Sequence, residues 1–245
     1  MRRPPAPDLR RTRNVGALFS DAFGIYLSRL ATFLGISAAI VVPVQFVVSG
    51  LGLKELTASY DSSPPTAELV IPSLVSFLVI APLITAACVY ALIALDRGDR
   101  PSAARTLAAG MDAFAPIFFA VVLAAVGIAA GLLALVLPGI YLAVRWFFVP
   151  QAVVLERARG PGALRRSGEL VQGYWWRTLG IVLLANLAAA IPTFVLGGPF
   201  ASLASHYDRQ VWIMVGSIVT EVVTAPFVAL LSTLLYFDLR ARRGA

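Results

Sequence analysis

Six long apolar runs, joined by connections of which every second one is rich in arginine, restrict this chain to one class of fold. The runs read as Thr32–Leu53, Leu69–Leu95, Phe114–Val136, Gly139–Leu155, Thr178–Leu196 and Val211–Phe237. A helix needs about 20 residues to cross a hydrocarbon layer of roughly 30 Å, and all but the fourth run are near or above that length. Apolar residues make up 59% of the chain and charged residues only 13%. A soluble domain carries about 25% charge, so too few polar groups are present to cover a water-soluble globule. The expectation is an all-α polytopic membrane helix bundle of six transmembrane helices, with no soluble body at either end.

Charge placement orients the bundle. All but three of the 20 basic residues fall on one side of the six runs. The N-terminal segment holds Arg2, Arg3, Arg10, Arg11, Arg13 and Arg29, and the second-to-third connection holds Arg97, Arg100 and Arg105. The fourth-to-fifth connection holds Arg157, Arg159, Arg165, Arg166 and Arg177, and the C-terminus holds Arg240, Arg242 and Arg243. The opposite side has only Lys54 and Arg209, and Arg145 lies within the fourth run. The positive-inside rule then predicts both termini in the cytoplasm. The Arg- and Ala-rich composition points to a bacterial inner membrane. The net charge of +7 is explained by orientation and by anionic headgroups, not by nucleic acid, because the arginines border apolar runs.

The domain organisation follows. Residues 1–14 read as a disordered cytoplasmic tail, 15–240 as a single six-helix membrane domain, and 241–245 as a short cytoplasmic tail. The first run reads as a retained span and not a cleaved signal, since no small-residue cleavage site follows it. Three arginine-side segments have helical amphipathic spacing and lead into the first, third and fifth spans: Ala17–Leu30, Pro101–Ala113 and Gly162–Arg177. Such cytoplasmic surface helices can lie in the headgroup layer. Their recurrence suggests a three-fold repeat of helical hairpins. Asp21, Tyr26 and Arg29 match Glu169, Tyr174 and Arg177 at identical spacing, and the middle copy breaks the pattern. Leu137-Pro138-Gly139 reads as a tight turn closing a third-to-fourth hairpin, and Gly197-Gly198-Pro199 as a turn after the fifth span.

No catalytic, cofactor or metal constellation is visible. Cys88 is the only cysteine, which excludes an intrachain disulfide. The one histidine, His206, reads as a solvated residue of an outer loop, and no span carries paired carboxylates. The intramembrane charges Arg145 and Glu221 are the leading site candidates. A charge at the bilayer centre costs about 2.5–3.5 kcal/mol on insertion scales, so each needs a partner, water or the bundle interior. Their similar depths predict an ion pair that joins the fourth and sixth spans. Pro43, Pro82, Pro150, Pro192 and Pro226 read as helix kinks. Gln45 and Asn186 read as interhelical hydrogen-bonding groups, and Gly127 and Gly131 as a close-packing pair, within the hairpin or between protomers.

The third amphipathic segment is the densest in recognition chemistry. Arg165, Arg166, Tyr174, Trp175, Trp176 and Arg177 are the candidate lipid-interface residues, since indoles suit the interfacial belt and guanidiniums meet anionic headgroups. Leu137-Pro138-Gly139-Ile140-Tyr141, Arg145, Pro150, Glu156, Ala163-Leu164-Arg165-Arg166-Ser167 and Tyr174-Trp175-Trp176-Arg177 resemble the membrane domain attached to some bacterial glycerophosphoryl diester phosphodiesterases, which also occurs in stand-alone form. Thr233–Arg240 resembles the end of that domain. The reaction of that family resides in a separate soluble barrel with histidines and acidic metal ligands, which this chain lacks. The resemblance therefore implies a membrane module, not an enzyme. The expected function is a non-enzymatic inner-membrane scaffold or accessory module that binds a membrane-protein partner, a second copy or a lipid. The alternative is a small-solute or lipid transporter with its site near Arg145 and Glu221.

Overall fold

A computed structural model describes residues 9, 11–49, 58–61, 66–99 and 101–244. Lys54, Arg2, Arg3, Arg10 and Arg100 lie outside the described residues. The described chain is all helix and turn, without a strand. In order it forms α1 (Val15–Ser28), α2 (Leu30–Val48), α3 (Thr66–Val75), a π-helical segment (Ser76–Ile80) and α4 (Ala81–Asp96). There follow α5 (Ala103–Asp112), α6 (Phe114–Ala134), α7 (Val136–Arg145), α8 (Val149–Glu156), α9 (Pro161–Val171), α10 (Trp175–Tyr207) and α11 (Val211–Arg242). Six helices or near-continuous helix pairs are long and apolar enough to cross a membrane: α2, α3–α4, α6, α7–α8, α10 and α11. The order short helix, span, span therefore occurs three times, as the hairpin repeat anticipates. Leu133, Phe194 and Leu137 are 89%, 83% and 79% exposed, an apolar surface suited to lipid and not to water. The protein is a multi-pass membrane protein.

Two breaks interrupt the spans, and each has a local cause. Pro82 has no N–H, and its ring strikes the carbonyl one turn earlier. The helix widens just upstream into the π segment, with the Ala81 N–H donating to the Ser76 carbonyl. Between α7 and α8, residues 146–148 form a turn, and Phe148 N donates to Ser167 Oγ at 3.1 Å while Ser167 Oγ donates to the Arg145 carbonyl at 2.9 Å. A serine from α9 thus satisfies backbone groups that the broken ladder leaves open.

Two turns expected from proline and glycine are helix instead. Leu137-Pro138-Gly139 lies in the first turn of α7, and the reversal is made by Leu135 alone, in extended conformation. Proline is tolerated in a first turn because N–H groups there have no intrahelical acceptor. Gly197-Gly198-Pro199 lies inside α10, which runs 33 residues, or about 50 Å. His206 consequently sits in the last turn of that helix. The third amphipathic helix is shorter than expected. It ends at Val171, and Gly173 at φ +80° supplies the left-handed residue that terminates it, so Trp175, Trp176 and Arg177 open α10.

The Gly127 and Gly131 pair packs within its own hairpin. A Cβ at Gly127 would overlap the Trp146 ring, and one at Gly131 would lie 3.1 Å from the Gly139 backbone. Gly139 in turn faces Leu132, whose backbone N would be 2.7 Å from an added Cβ. Gly139→Val is expected to separate α6 from α7 and to destabilise the protein by about 1–3 kcal/mol, the usual penalty of overpacking. Thermal unfolding in detergent checks this, and an unchanged midpoint would show that the helices are not in contact there.

Each short helix buries one stripe against the spans. Asn14 caps α1, its Oδ1 accepting from Ala17 N at 2.7 Å. Leu18, Ala22 and Tyr26 form a buried stripe, and Tyr26 donates to the Val223 carbonyl at 2.8 Å, in the turn of α11 that Pro226 disturbs. Burial raises the Tyr26 phenol above its ordinary pKa, and the nearby Cys88 raises it further. On α5, Gly110 lies against the backbone of α4 at Ala87, and on α9 Ala163, Ser167 and Gly168 are buried. Small residues on the inner stripe let these helices sink between the spans. The buried segments of α4 from Leu83 to Leu92 and of α11 from Ala229 to Tyr236 form the centre they pack around.

Candidate functional site

The half of α11 near Val211 packs differently from the half near Arg242. Here α2, α3, the π segment, α10 and α11 separate around a cleft of about 700 Å³. Its walls carry Gln45, Pro72, Ser73, Ser76, Phe77, Thr193, Phe200, Ser217, Thr220, Glu221 and Thr224. Gly197 and Ala201 keep the facing helix small along the cleft, and Gly216 lets Phe200 pack against α11, where an added Cβ would strike it.

Glu221 is the charged group of this cleft. It is half-buried, accepts from Gln45 Nε2 at 2.9 Å, and accepts from Ser76 Oγ. Ser76 begins the π segment, so the helix defect set by Pro82 brings a hydroxyl to the carboxylate. No lysine, arginine or histidine among the described residues lies within ion-pair distance of Glu221. Thr220 is buried, and its Oγ1 has no hydrogen-bond partner among the described residues. An intramembrane carboxylate without a counter-charge is a functional-site signal because its transfer from water is unfavourable. Among the described residues, no group of three or more histidine, cysteine, aspartate and glutamate residues could hold a metal ion.

The expected ion pair between Arg145 and Glu221 does not form. Arg145 is exposed and donates to Tyr141 Oη at 2.9 Å, and its side chain lies against Gly168 of α9. Arg145 ends α7, and its guanidinium is taken up by Tyr141 and by the face of α9 at Gly168. Tyr141 stacks on Trp175 with ring centroids 6.0 Å apart, and the Trp175 indole N–H donates to the Tyr141 carbonyl. Arg145 therefore joins an aromatic cluster at the start of α10, remote from the cleft.

Of the candidate lipid-interface residues, three are engaged inside the protein. Arg166 pairs with Glu156, which also accepts from Tyr236 Oη, and the Glu156 hydrogen bond holds the guanidinium charged by raising its pKa. Arg177 pairs with Asp238 at 3.0 Å, and Tyr174 lies under the Arg243 guanidinium. Trp176, at 79% exposure, and Arg165, at 83% side-chain exposure, remain outward. Trp175 is half-buried against Trp176, with centroids 4.7 Å apart.

Asp238 was not singled out as a site from sequence, yet it is the most connected acid. Fully buried, it accepts from Arg13 N at 2.6 Å, from Arg177 Nη2 at 3.0 Å and from Arg242 Nε at 3.0 Å. Both guanidiniums also donate to the Arg13 carbonyl at 2.7 Å, and Arg13 Nε pairs with Asp21 at 2.8 Å. The segment expected to be a disordered tail is thus docked at Leu9 and at residues 11–14, with Leu9 and Arg13 buried. No sequence signal distinguishes these arginines from headgroup ligands, because their partner lies 225 residues from Arg13 and 61 from Arg177.

Residues 66–239 match the family described as a domain of unknown function, DUF7847. This region contains α3 to the end of the buried part of α11, and so every element lining the cleft except α2. No curated protein and no solved structure matches the chain.

Proposed function

We propose, starting from a chain that belongs to the DUF7847 family, that the protein is a non-enzymatic membrane module that binds a lipid or small amphiphile in the Glu221 cleft. One observation carries the reading. The bundle is packed solid around Leu83–Leu92 and Ala229–Tyr236, and open in its other half around Glu221, which has no counter-charge among the described residues. A pocket on one side of a closed core supports holding a ligand. A path across the membrane would have to pass that core, so the transport reading is the weaker one. The resemblance to the phosphodiesterase-attached membrane domain supports a module without catalytic groups.

Arginine placement supports a bacterial inner membrane, with the end that carries Arg13, Arg166 and Arg242 in the cytoplasm. The cleft then faces the outer half of the bilayer. Arg145, beside Tyr141, and the outward Arg165 meet anionic headgroups of the inner leaflet.

Purification in mild detergent followed by native mass spectrometry tests the reading. The expected result is one small amphiphile per chain, reduced at least tenfold when Thr220→Phe fills the cleft. A chain of bare mass, or an adduct indifferent to the filling, overturns it.

A further inference from the structure

The hydrogen-bonding character of the cleft specifies what it takes. Thr193 Oγ1 donates to the Ala189 carbonyl, Ser217 Oγ to the Met214 carbonyl and Thr224 Oγ1 to the Thr220 carbonyl, each at 2.8 Å. Ser76 Oγ donates to Glu221. A hydroxyl has one proton and two lone pairs, so these four have committed their protons and present only acceptors. Glu221 is itself an acceptor, and two donors leave part of its lone-pair capacity open. Thr220, the preceding residue on the cleft wall, has a buried Oγ1 without a partner among the described residues. This lining of acceptors around a carboxylate repels anions, although Thr220 Oγ1 and the second Gln45 N–H each keep a proton. It calls for a cation that donates several hydrogen bonds. Phe77, Phe200 and Ile213 supply an apolar wall for a tail.

We infer that the cleft binds a primary ammonium group on an apolar chain, its N–H donors shared between Glu221 and the neighbouring hydroxyls. This rests on the amphiphile-binding reading above and adds the chemical class of the ligand. A quaternary ammonium carries the charge but no donors, and it is discriminated against for that reason. The group can belong to an ethanolamine headgroup or to a free alkylamine.

The test is thermal unfolding of the intact chain in a nonionic detergent with octylammonium, octyltrimethylammonium, octanol and octyl sulfate in turn. Octylammonium is expected to raise the midpoint by several degrees, octyltrimethylammonium by less, and the other two not at all. Glu221→Gln, which keeps the shape of the side chain but removes its charge and turns one acceptor into a donor, is expected to abolish the octylammonium shift. The four-probe comparison on the unsubstituted protein stands if that variant fails to fold. Equal shifts with octanol and octylammonium overturn the ammonium assignment and leave amphiphile binding intact. Absence of any shift overturns both. Competition by phosphatidylethanolamine in nanodiscs, and not by phosphatidylglycerol, assigns the group to a lipid headgroup. Octylammonium binding undiminished by phosphatidylethanolamine assigns it to a free amine.

Discussion

Asp238→Asn is expected to lower the unfolding midpoint by several degrees and to release the N-terminal segment. The carboxylate is wholly buried and receives the Arg13 N–H together with the Arg177 and Arg242 guanidiniums. Removing one partner of a buried ionic cluster leaves the others uncompensated, which costs about 3–5 kcal/mol. The two guanidiniums keep 23% and 28% side-chain exposure, so water offsets part of this and the lower end, about 3 kcal/mol, applies. For a chain of this length that corresponds to a fall of about 6–12 °C. The carboxylate is also what joins residues 11–14 to α10 and α11, because both guanidiniums reach the Arg13 carbonyl only while Asp238 aligns them. Trypsin should then cut at Arg11 and Arg13 in the variant and spare them in the parent protein. A variant with the parental midpoint and an equally protected N-terminus would show that the cluster does not hold the tail.

The same cluster marks the boundary of what the sequence discloses. Apolar length and arginine placement are one-dimensional signals, and they suffice for the six spans because a bilayer imposes a single thickness on every crossing. Whether a given arginine faces lipid or another helix is not one-dimensional. Arg166 and Arg165 are adjacent, yet one is paired with Glu156 and the other is outward. Helical spacing distinguishes their faces, but the partner on α8 is invisible until the chain folds. Proline and glycine misled for a different reason. In water they punctuate structure, whereas within a bilayer no solvent competes for the backbone, and helices continue through Gly197-Gly198-Pro199. Glu221 was legible as a lone acid in an apolar run. Its partner was not, because the choice of Gln45 and Ser76 over Arg145 depends on the π segment and on the turn at 146–148. The first defect left a trace in Pro82, whereas the second is completed by Ser167 of α9 and left none.

Ser167→Ala is expected to cost about 2–4 kcal/mol, large for the loss of one oxygen. Deleting a partner from a buried polar group forfeits about 1–3 kcal/mol of desolvation per group, and here two groups lose theirs. The Phe148 N–H and the Arg145 carbonyl both depend on Ser167 Oγ, and Phe148 is fully buried against Tyr236. Ser167 and Phe148 are wholly buried, which keeps water from the Phe148 N–H. The break between α7 and α8 is therefore stable only while α9 is seated, which makes the short helix a structural part of the fourth span. Hydrogen exchange at Phe148 reports this directly: it should accelerate markedly in the variant, together with a fall in the unfolding midpoint. The Glu221 cleft has no wall from α7, α8 or α9, so ligand retention should survive at temperatures where the variant is folded. Unchanged exchange at Phe148 would mean that the broken helix holds itself. Loss of ligand with the core still folded would mean that the two halves of the bundle are coupled, and the cleft would then be a moving part, not a fixed receptacle.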